Sequence, residues 1–375
     1  MTFPAEFVRP ESGGLQGILA AALAAVDVEQ VAGSRSFASI ANGLELPPAP
    51  RVCVVLIDGL GHTQLAQRSG HFPFLRRRER RRLTTVVPST TAAAISAFGT
   101  GTGPGETGML GYTVREPGGR LLNLIRWEDG PEAMLAWQTV PTLAQRIARP
   151  ERFALLAPAR FTGSGLTVAS LRGAREVAAE ELEDRVDAAV HELSSGRADA
   201  TYLYWGEVDH IGHDHGWQSW QWGEEASRTD AELDRLAREL PAGTLLVITA
   251  DHGMVDVTKR TDVATTPALA ACVDLVSGEP RASHVFTSRP EEVAERWSDY
   301  LGDSAWIALR DEAMPLFGPV AERFEPVIGD VVVFMRGTEV VVDSRTQTPG
   351  SIALKGVHGS LTEDEMLIPL VAEVV

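Results

Sequence analysis

Asp58 follows the apolar run "CVVLI", Thr90 and Thr91 follow "LTTVVPS", Asp209, His210 and His213 follow "TYLYWGEV", and Asp251 and His252 follow "LLVITA". His358 stands in a Gly-flanked turn, "VHGS", near the C-terminus. Carboxylates and imidazoles together suit zinc and, less exclusively, manganese or iron. Seven or eight such groups exceed the needs of one tetrahedral ion and suit two, the arrangement that clamps a phosphoryl group. A threonine hydroxyl becomes a nucleophile once a cation draws off its proton. At a helix N-terminus it also faces free N–H groups and the positive dipole end, a setting for phosphate. Each residue has a plain structural use as well: Asp58 and Thr91 suit a helix N-cap, and Asp-His-Gly suits a turn.

Positioning these groups takes a sheet. Apolar runs alternate with helical patterns, the sign of a parallel sheet covered on both faces, and such a sheet binds ligands beyond its strand ends. The predicted strands are "RVCVVLI", "LTTVVPSTT", "RFALLAP", "ADATYLYW", "GTLLVIT" and the tail "MLIPLVAEVV". Predicted helices are an amphipathic one at Leu15 to Val26, the alanine-rich stretch after Thr91, one beginning at Pro141, a charged one over Arg175 to Leu193, and one over Trp222 to Leu240. The segment from Trp205 to His213 reads as a polar loop. The expected fold is α/β, a central, mostly parallel sheet sandwiched by helices. Residues 1–260 and 351–375 form the catalytic core, and 261–350 an inserted or cap-like subdomain.

Hydrophobic residues make up 44% and charged residues 23%, a globular balance, and no apolar run reaches membrane-spanning length. The net charge of −17 disfavours binding to duplex nucleic acid, which draws on phosphate neutralisation. The local exception, "RRRERRR" at Arg76 to Arg82, precedes a strand and reads as a solvated helix end rather than an anion site. Cys53 sits in an apolar strand and reads as a buried small hydrophobe; Cys272 is the second cysteine. The opening "MTFPAEFVRPESGG" lacks a basic region followed by an apolar one, so a cytoplasmic location is expected. His62, His71, His191, His215 and His284 read as surface or packing residues.

The order "IDGLG", "PSTTAAAISAFGTG", "VDHIGH", "ADHGM", "VHGS" resembles the type I phosphodiesterase/nucleotide pyrophosphatase branch of the alkaline phosphatase superfamily, from about residue 51 to 360. The resemblance implies two divalent metal ions, zinc by preference. Asp58, Thr91, Asp251 and His252 would hold one, and Asp209, His213 and His358 the other. His210 matches no ligand position. Thr91, three residues after Pro88 and ten before Gly101, takes the nucleophile's place, leaving Thr90 to shape the turn or cap the helix. The implied activity is hydrolysis of a small-molecule phosphoric ester through a phosphothreonine.

A nucleotide-like diester is favoured by Tyr112, Trp127, Trp205, Trp217, Trp220 and Trp222 near the motifs and by few cations there, with Arg115 and Arg126 able to meet a charged substrate. Other readings are a phosphomonoesterase, a phosphomutase or phosphonate hydrolase of the same superfamily, or a weakly catalytic metal-containing binding protein. One position departs from the branch: where an asparagine commonly donates to a phosphate oxygen, three residues after the nucleophile, this chain has Ala94.

Overall fold

The computed structural model describes residues 3–78 and 81–375. The central sheet has seven strands, in the order Arg81–Thr84, Leu367–Val374, Thr244–Thr249, Arg51–Ile57, Ala200–Trp205, Phe153–Ala157 and Arg175–Ala178. The five from Thr244–Thr249 onward pair in parallel, and Leu367–Val374 runs antiparallel to both of its neighbours. Every residue of Val52–Ile57 is buried, as expected of a central strand covered on both faces.

Five readings of local structure are corrected. The strand read over "LTTVVPSTT" spans only Arg81–Thr84, since Pro88 and the turn into the helix at Thr91 end the pairing. Arg175–Ala178 is an edge strand, and the charged helix starts only at Leu182, where a capping box of Glu181 and Asp184 marks its N-terminus. Glu207–His215 is a helix rather than a loop. Beyond Pro141 only a short 3-10 turn forms, at Ala144–Arg146. The helix Leu15–Ala25 is not amphipathic: Leu15 and Gly17 through Leu23 are all buried, covering the sheet together with the Thr91–Thr100 helix.

A second, antiparallel sheet of six strands runs Ala305–Leu309, Val331–Met335, Ala282–Phe286, Leu275–Glu279, Thr113–Arg115, Leu121–Asn123. Segment 261–350 supplies four of these strands and the 113–123 hairpin the other two, with Thr113 pairing Gly278. Of the arginine run, Glu79 and Arg80 lie outside the described residues; Arg81 and Arg82 are exposed at the start of the edge strand, and Arg78 pairs with Glu373 at 3.0 Å. Cys53 is fully buried, its thiol pushed up to about 12 by burial, and Cys272 is exposed; both are free. Among the described residues no helix is long and apolar enough to cross a membrane.

Candidate functional site

The carboxyl ends of the three adjacent strands Thr244–Thr249, Arg51–Ile57 and Ala200–Trp205 bring Asp251, Asp58 and Asp209 to one edge. Asp209 lies in the first turn of the helix Glu207–His215, and His213 follows one turn later on the same face, with its Nε2 3.1 Å from Asp209 Oδ2. His210 points away and is 65% exposed. His358 arrives from a distant part of the chain by strand pairing: Gly356–Val357 aligns antiparallel with Val255–Asp256, just after His252. The His252 and His358 rings stack at 3.6 Å. Gly59 makes this closeness possible. Its φ is +72°, a Cβ there would lie 2.9 Å from Asp209 Cβ, and its N–H donates to Asp251 Oδ1 at 3.1 Å.

Each histidine is fixed in the same sense. The Nδ1–H groups donate to backbone carbonyls: His252 to Gly253 at 3.1 Å, His213 to Gly356 at 2.7 Å and His358 to Ser89 at 2.9 Å. This leaves all three Nε2 atoms turned into the site, the arrangement typical of metal-binding imidazoles. Each carboxylate likewise has one oxygen engaged. Asp58 Oδ2 accepts from the Tyr204 hydroxyl, Asp251 Oδ1 from the N–H groups of Gly59 and His252, and Asp209 Oδ2 faces His213. The other oxygens, Asp58 Oδ1, Asp251 Oδ2 and Asp209 Oδ1, are buried without a hydrogen-bond partner among the described residues.

Thr91 opens the helix Thr91–Thr100 at its first position, and its Oγ1 is 3.1 Å from His252 Nε2. Thr90 is the N-cap residue, but its side chain makes no capping bond, so it does not satisfy the first-turn N–H groups. Ala94 is fully buried in the main core, and its N–H is spent on Thr90 O.

Electrostatics and spacing both fit cations. Burial, then Asp251 and Asp209, pushes Asp58 well above the usual carboxylate range. Burial, with Asp209 adding to it, raises Asp251 against the pull of His252. For Asp209 burial also opposes ionisation, but the imidazole of His213, followed by His358 and His252, outweighs it and holds the group low. Burial likewise opposes the charge on His213, and Asp209 lifts it to about 9. Burial and then His252 depress His358. No lysine or arginine pairs with any of these three aspartates among the described residues.

Around a tetrahedral ion with bonds of about 2.0–2.1 Å, donor atoms stand about 3.3 Å apart. His252 Nε2 lies 3.1 Å from Thr91 Oγ1 and 3.4 Å from both Asp58 Oδ1 and Asp251 Oδ2. In the second group, Asp209 is 3.1 Å from His213 and 3.8 Å from His358. Asp209 also falls within reach of a cluster with Asp58 and His252, so the two groups adjoin.

Beside Thr91 opens a cavity of about 290 Å³ lined mostly by apolar side chains, among them Ile95, Leu166 and Leu171, together with Phe161, Tyr202 and Tyr204. Arg160 is its one cationic lining residue among the described residues. The aromatic residues expected from sequence lie elsewhere. Trp127, Trp205, Trp217 and Trp222 are buried in cores, and Trp220 and Tyr112 are exposed and line no part of this cavity. Neither Arg115, which sits over the Phe286 ring, nor Arg126 lines it. The alternation of Tyr202 and Tyr204 along a predicted strand was the available sign of this wall; nothing comparable marks Phe161 or Arg160.

A mostly parallel sheet carrying carboxylate–imidazole clusters and a helix-initial threonine at one edge is the arrangement of a metal-dependent phosphoester hydrolase with an alkaline-phosphatase-like fold. The chain belongs to the type I phosphodiesterase/nucleotide pyrophosphatase family, whose model matches residues 52–361. No curated protein sequence matches it. Among solved structures, phosphonoacetate hydrolase from Sinorhizobium meliloti 1021 in complex with phosphonoformate superposes with a TM-score of 0.67 at 20% identity, covering 88% of this chain and 92% of that one. Murine ectonucleotide pyrophosphatase/phosphodiesterase 5 gives 0.63 at 17% identity, with coverages of 86% and 88%. An inactive variant of it in complex with AMP gives 0.62 at 17% identity, with coverages of 86% and 87%.

Proposed function

We propose that the chain is a phosphodiesterase/nucleotide pyrophosphatase-type hydrolase that works through Thr91. The observation that carries this reading is the position of Thr91 Oγ1, at a helix N-terminus and 3.1 Å from His252 Nε2, between orphaned carboxylate oxygens and an apolar cavity. In it Asp58, Thr91, Asp251 and His252 hold one divalent cation, and Asp209, His213 and His358 the other. Carboxylate and imidazole donors at tetrahedral spacing favour zinc. When bound, the two cations lower the pKa of the Thr91 hydroxyl and offset charge on the phosphoryl oxygens.

Thr91 Oγ1 attacks phosphorus in line with the departing ester oxygen; that P–O bond breaks, its electron pair leaves with the alcohol, and a phosphothreonine remains. Water then adds to phosphorus and Thr91 Oγ1 departs as the regenerated hydroxyl. The first-turn N–H groups of Thr91, Ala92 and Ala93, left without a side-chain cap, point at the phosphoryl group and supply donors that Ala94 cannot. Tyr204 and Gly59 orient Asp58 and Asp251 from behind.

A diester or pyrophosphate is the substrate that leaves an uncharged group for an apolar cavity. Arg160 favours a second reading, a phosphonate hydrolase whose substrate carries its own anion, as phosphonoacetate does. The test is turnover of bis(p-nitrophenyl) phosphate, p-nitrophenyl phosphate and phosphonoacetate by metal-reconstituted wild type and Thr91→Ala. The diester should be preferred, and Thr91→Ala should lose about 10³-fold or more. Preference for p-nitrophenyl phosphate would make the chain a monoesterase, and phosphate released from phosphonoacetate would favour the second reading. Turnover of none of the three would leave a metal-containing binding protein.

A further inference from the structure

Tyr202 and Tyr204 stand two apart on the strand Ala200–Trp205 and so share a face. Both line the cavity beside Thr91, but their hydroxyls end differently. Tyr204 donates to Asp58 Oδ2. The Tyr202 hydroxyl is buried and has no hydrogen-bond partner among the described residues, on a side chain that is 1% exposed and packs its ring 5.1 Å from Phe98. A buried hydroxyl left unpaired is costly, and phenylalanine would give the same ring packing without that cost. Burial, then Asp251 and Asp58, raises its pKa, so the proton stays on and can be donated.

Strands rise about 3.3 Å per residue, so the backbone of Tyr202 lies about 6.6 Å further from the metal-facing edge than that of Tyr204. Thr91 and Ile95, one helical turn apart on the opposite wall, trace the same inward direction. A leaving group departs on the side of phosphorus opposite Thr91, whereas this cavity begins at Thr91 itself. It therefore suits the substituent that stays on phosphorus.

We propose that the cavity seats this retained organic group, and that Tyr202 donates a hydrogen bond to an acceptor at its inner end. The substrate class is then a phosphoric or phosphonic ester whose compact apolar moiety, of aryl size, carries a carbonyl, ether oxygen or ring nitrogen distal to phosphorus. This rests on the phosphoester reading above. Phe161, Leu166 and Leu171 supply the apolar contact; of the polar lining groups, which include Arg160, Ser164 and Thr167, Tyr202 brings a buried hydroxyl with no partner among the described residues.

The experiment compares the p-nitrophenyl esters of phenylphosphonic and 4-acetylphenylphosphonic acid on the metal-reconstituted full chain, wild type and Tyr202→Phe. Binding of the two free acids is measured in parallel by calorimetry. Wild type should prefer the acetyl compound by about tenfold in kcat/KM, and Tyr202→Phe should bring that ratio close to one. A wild-type ratio near one, or the same ratio in both proteins, overturns the proposal and assigns the hydroxyl to an internal water. If neither ester is turned over, the phosphoester reading fails by itself. The binding data then decide: a tenfold affinity difference lost in Tyr202→Phe supports the role of Tyr202, and equal affinities overturn it.

Discussion

Arg281 and Glu365 are both fully buried, and their pairing joins the second sheet to the turns that carry His252 and His358. Glu365 Oε1 accepts from Arg281 Nε and from Ser360 N, each at 3.0 Å; Oε2 accepts from Arg281 Nη2 at 2.7 Å and from Thr362 Oγ1 at 2.6 Å. The remaining guanidinium N–H groups go to the carbonyls of Met335, Arg336 and Glu339. Arg281→Met removes the cation and leaves a buried carboxylate with two donors. Breaking a buried pair from one side costs about 3–5 kcal/mol, far more than a surface pair. Because the partners touch, adding Glu365→Leu should cost less than the sum of the single losses, with a coupling of about 1–3 kcal/mol.

The effect extends to the site. Glu365 also accepts from Gly253 N through its main-chain carbonyl at 2.9 Å, next to His252, and its side chain holds Ser360, two residues after His358. Glu365→Ala should therefore weaken cation binding by about tenfold or more, the scale seen when the supports of metal ligands are lost. Urea unfolding of the single and double variants, with chelator competition for the cation, measures both effects. An Arg281→Met loss below about 1 kcal/mol, or unchanged cation affinity in Glu365→Ala, would refute the reasoning.

Other perturbations separate the parts of the site. Tyr204→Phe releases Asp58 Oδ2 and should lower cation affinity about 10–100-fold in chelator competition, with little change in the urea midpoint. Gly59→Ala forces a side chain into a φ of +72° and against Asp209; it should cost at least about 1–2 kcal/mol and reduce the metal content measured by elemental analysis. His284 reports on the second sheet. Burial takes its pKa from 6.5 down to about 4, and its Nδ1 accepts from Gly329 N–H at 3.0 Å, a bond that protonation would oppose. The folded value lies below the unfolded one, so this contribution is complete above pH 6.5 and is lost as pH falls towards 4, by about 3 kcal/mol. His284→Asn should remove that part of the acid dependence, and a wild-type-to-variant gap in urea midpoint that is equal at pH 7 and pH 4.5 would contradict it.

The strands that carry Asp58 and Asp251 were legible because a central parallel strand is an unbroken apolar run ending in a polar residue. Less legible was the helix Glu207–His215. One glycine, three histidines and three carboxylates lower its hydropathy to that of a loop, although the four-residue spacing of Asp209 and His213 is a helical one. Arg175–Ala178 merged with the charged helix behind it because an edge strand needs only an alternating face; Glu181 and Asp184 mark the true boundary. Tryptophan positions misled for a different reason. Large aromatics gain most from core burial, so proximity in sequence to the motifs said little about the cavity. Arg160 and Phe161 belong to a short turn after a strand, where no periodicity tells which side chains reach the neighbouring site.

The most direct test of the central claim is to trap the covalent species. Metal-reconstituted protein is mixed with bis(p-nitrophenyl) phosphate, quenched in acid within one turnover, and digested for mass spectrometry. A phosphoryl adduct on Thr91, present in wild type and in Thr91→Ser and absent from Thr91→Ala, is the predicted result. Full turnover by Thr91→Ala, or an adduct on any residue other than Thr91, would contradict the account.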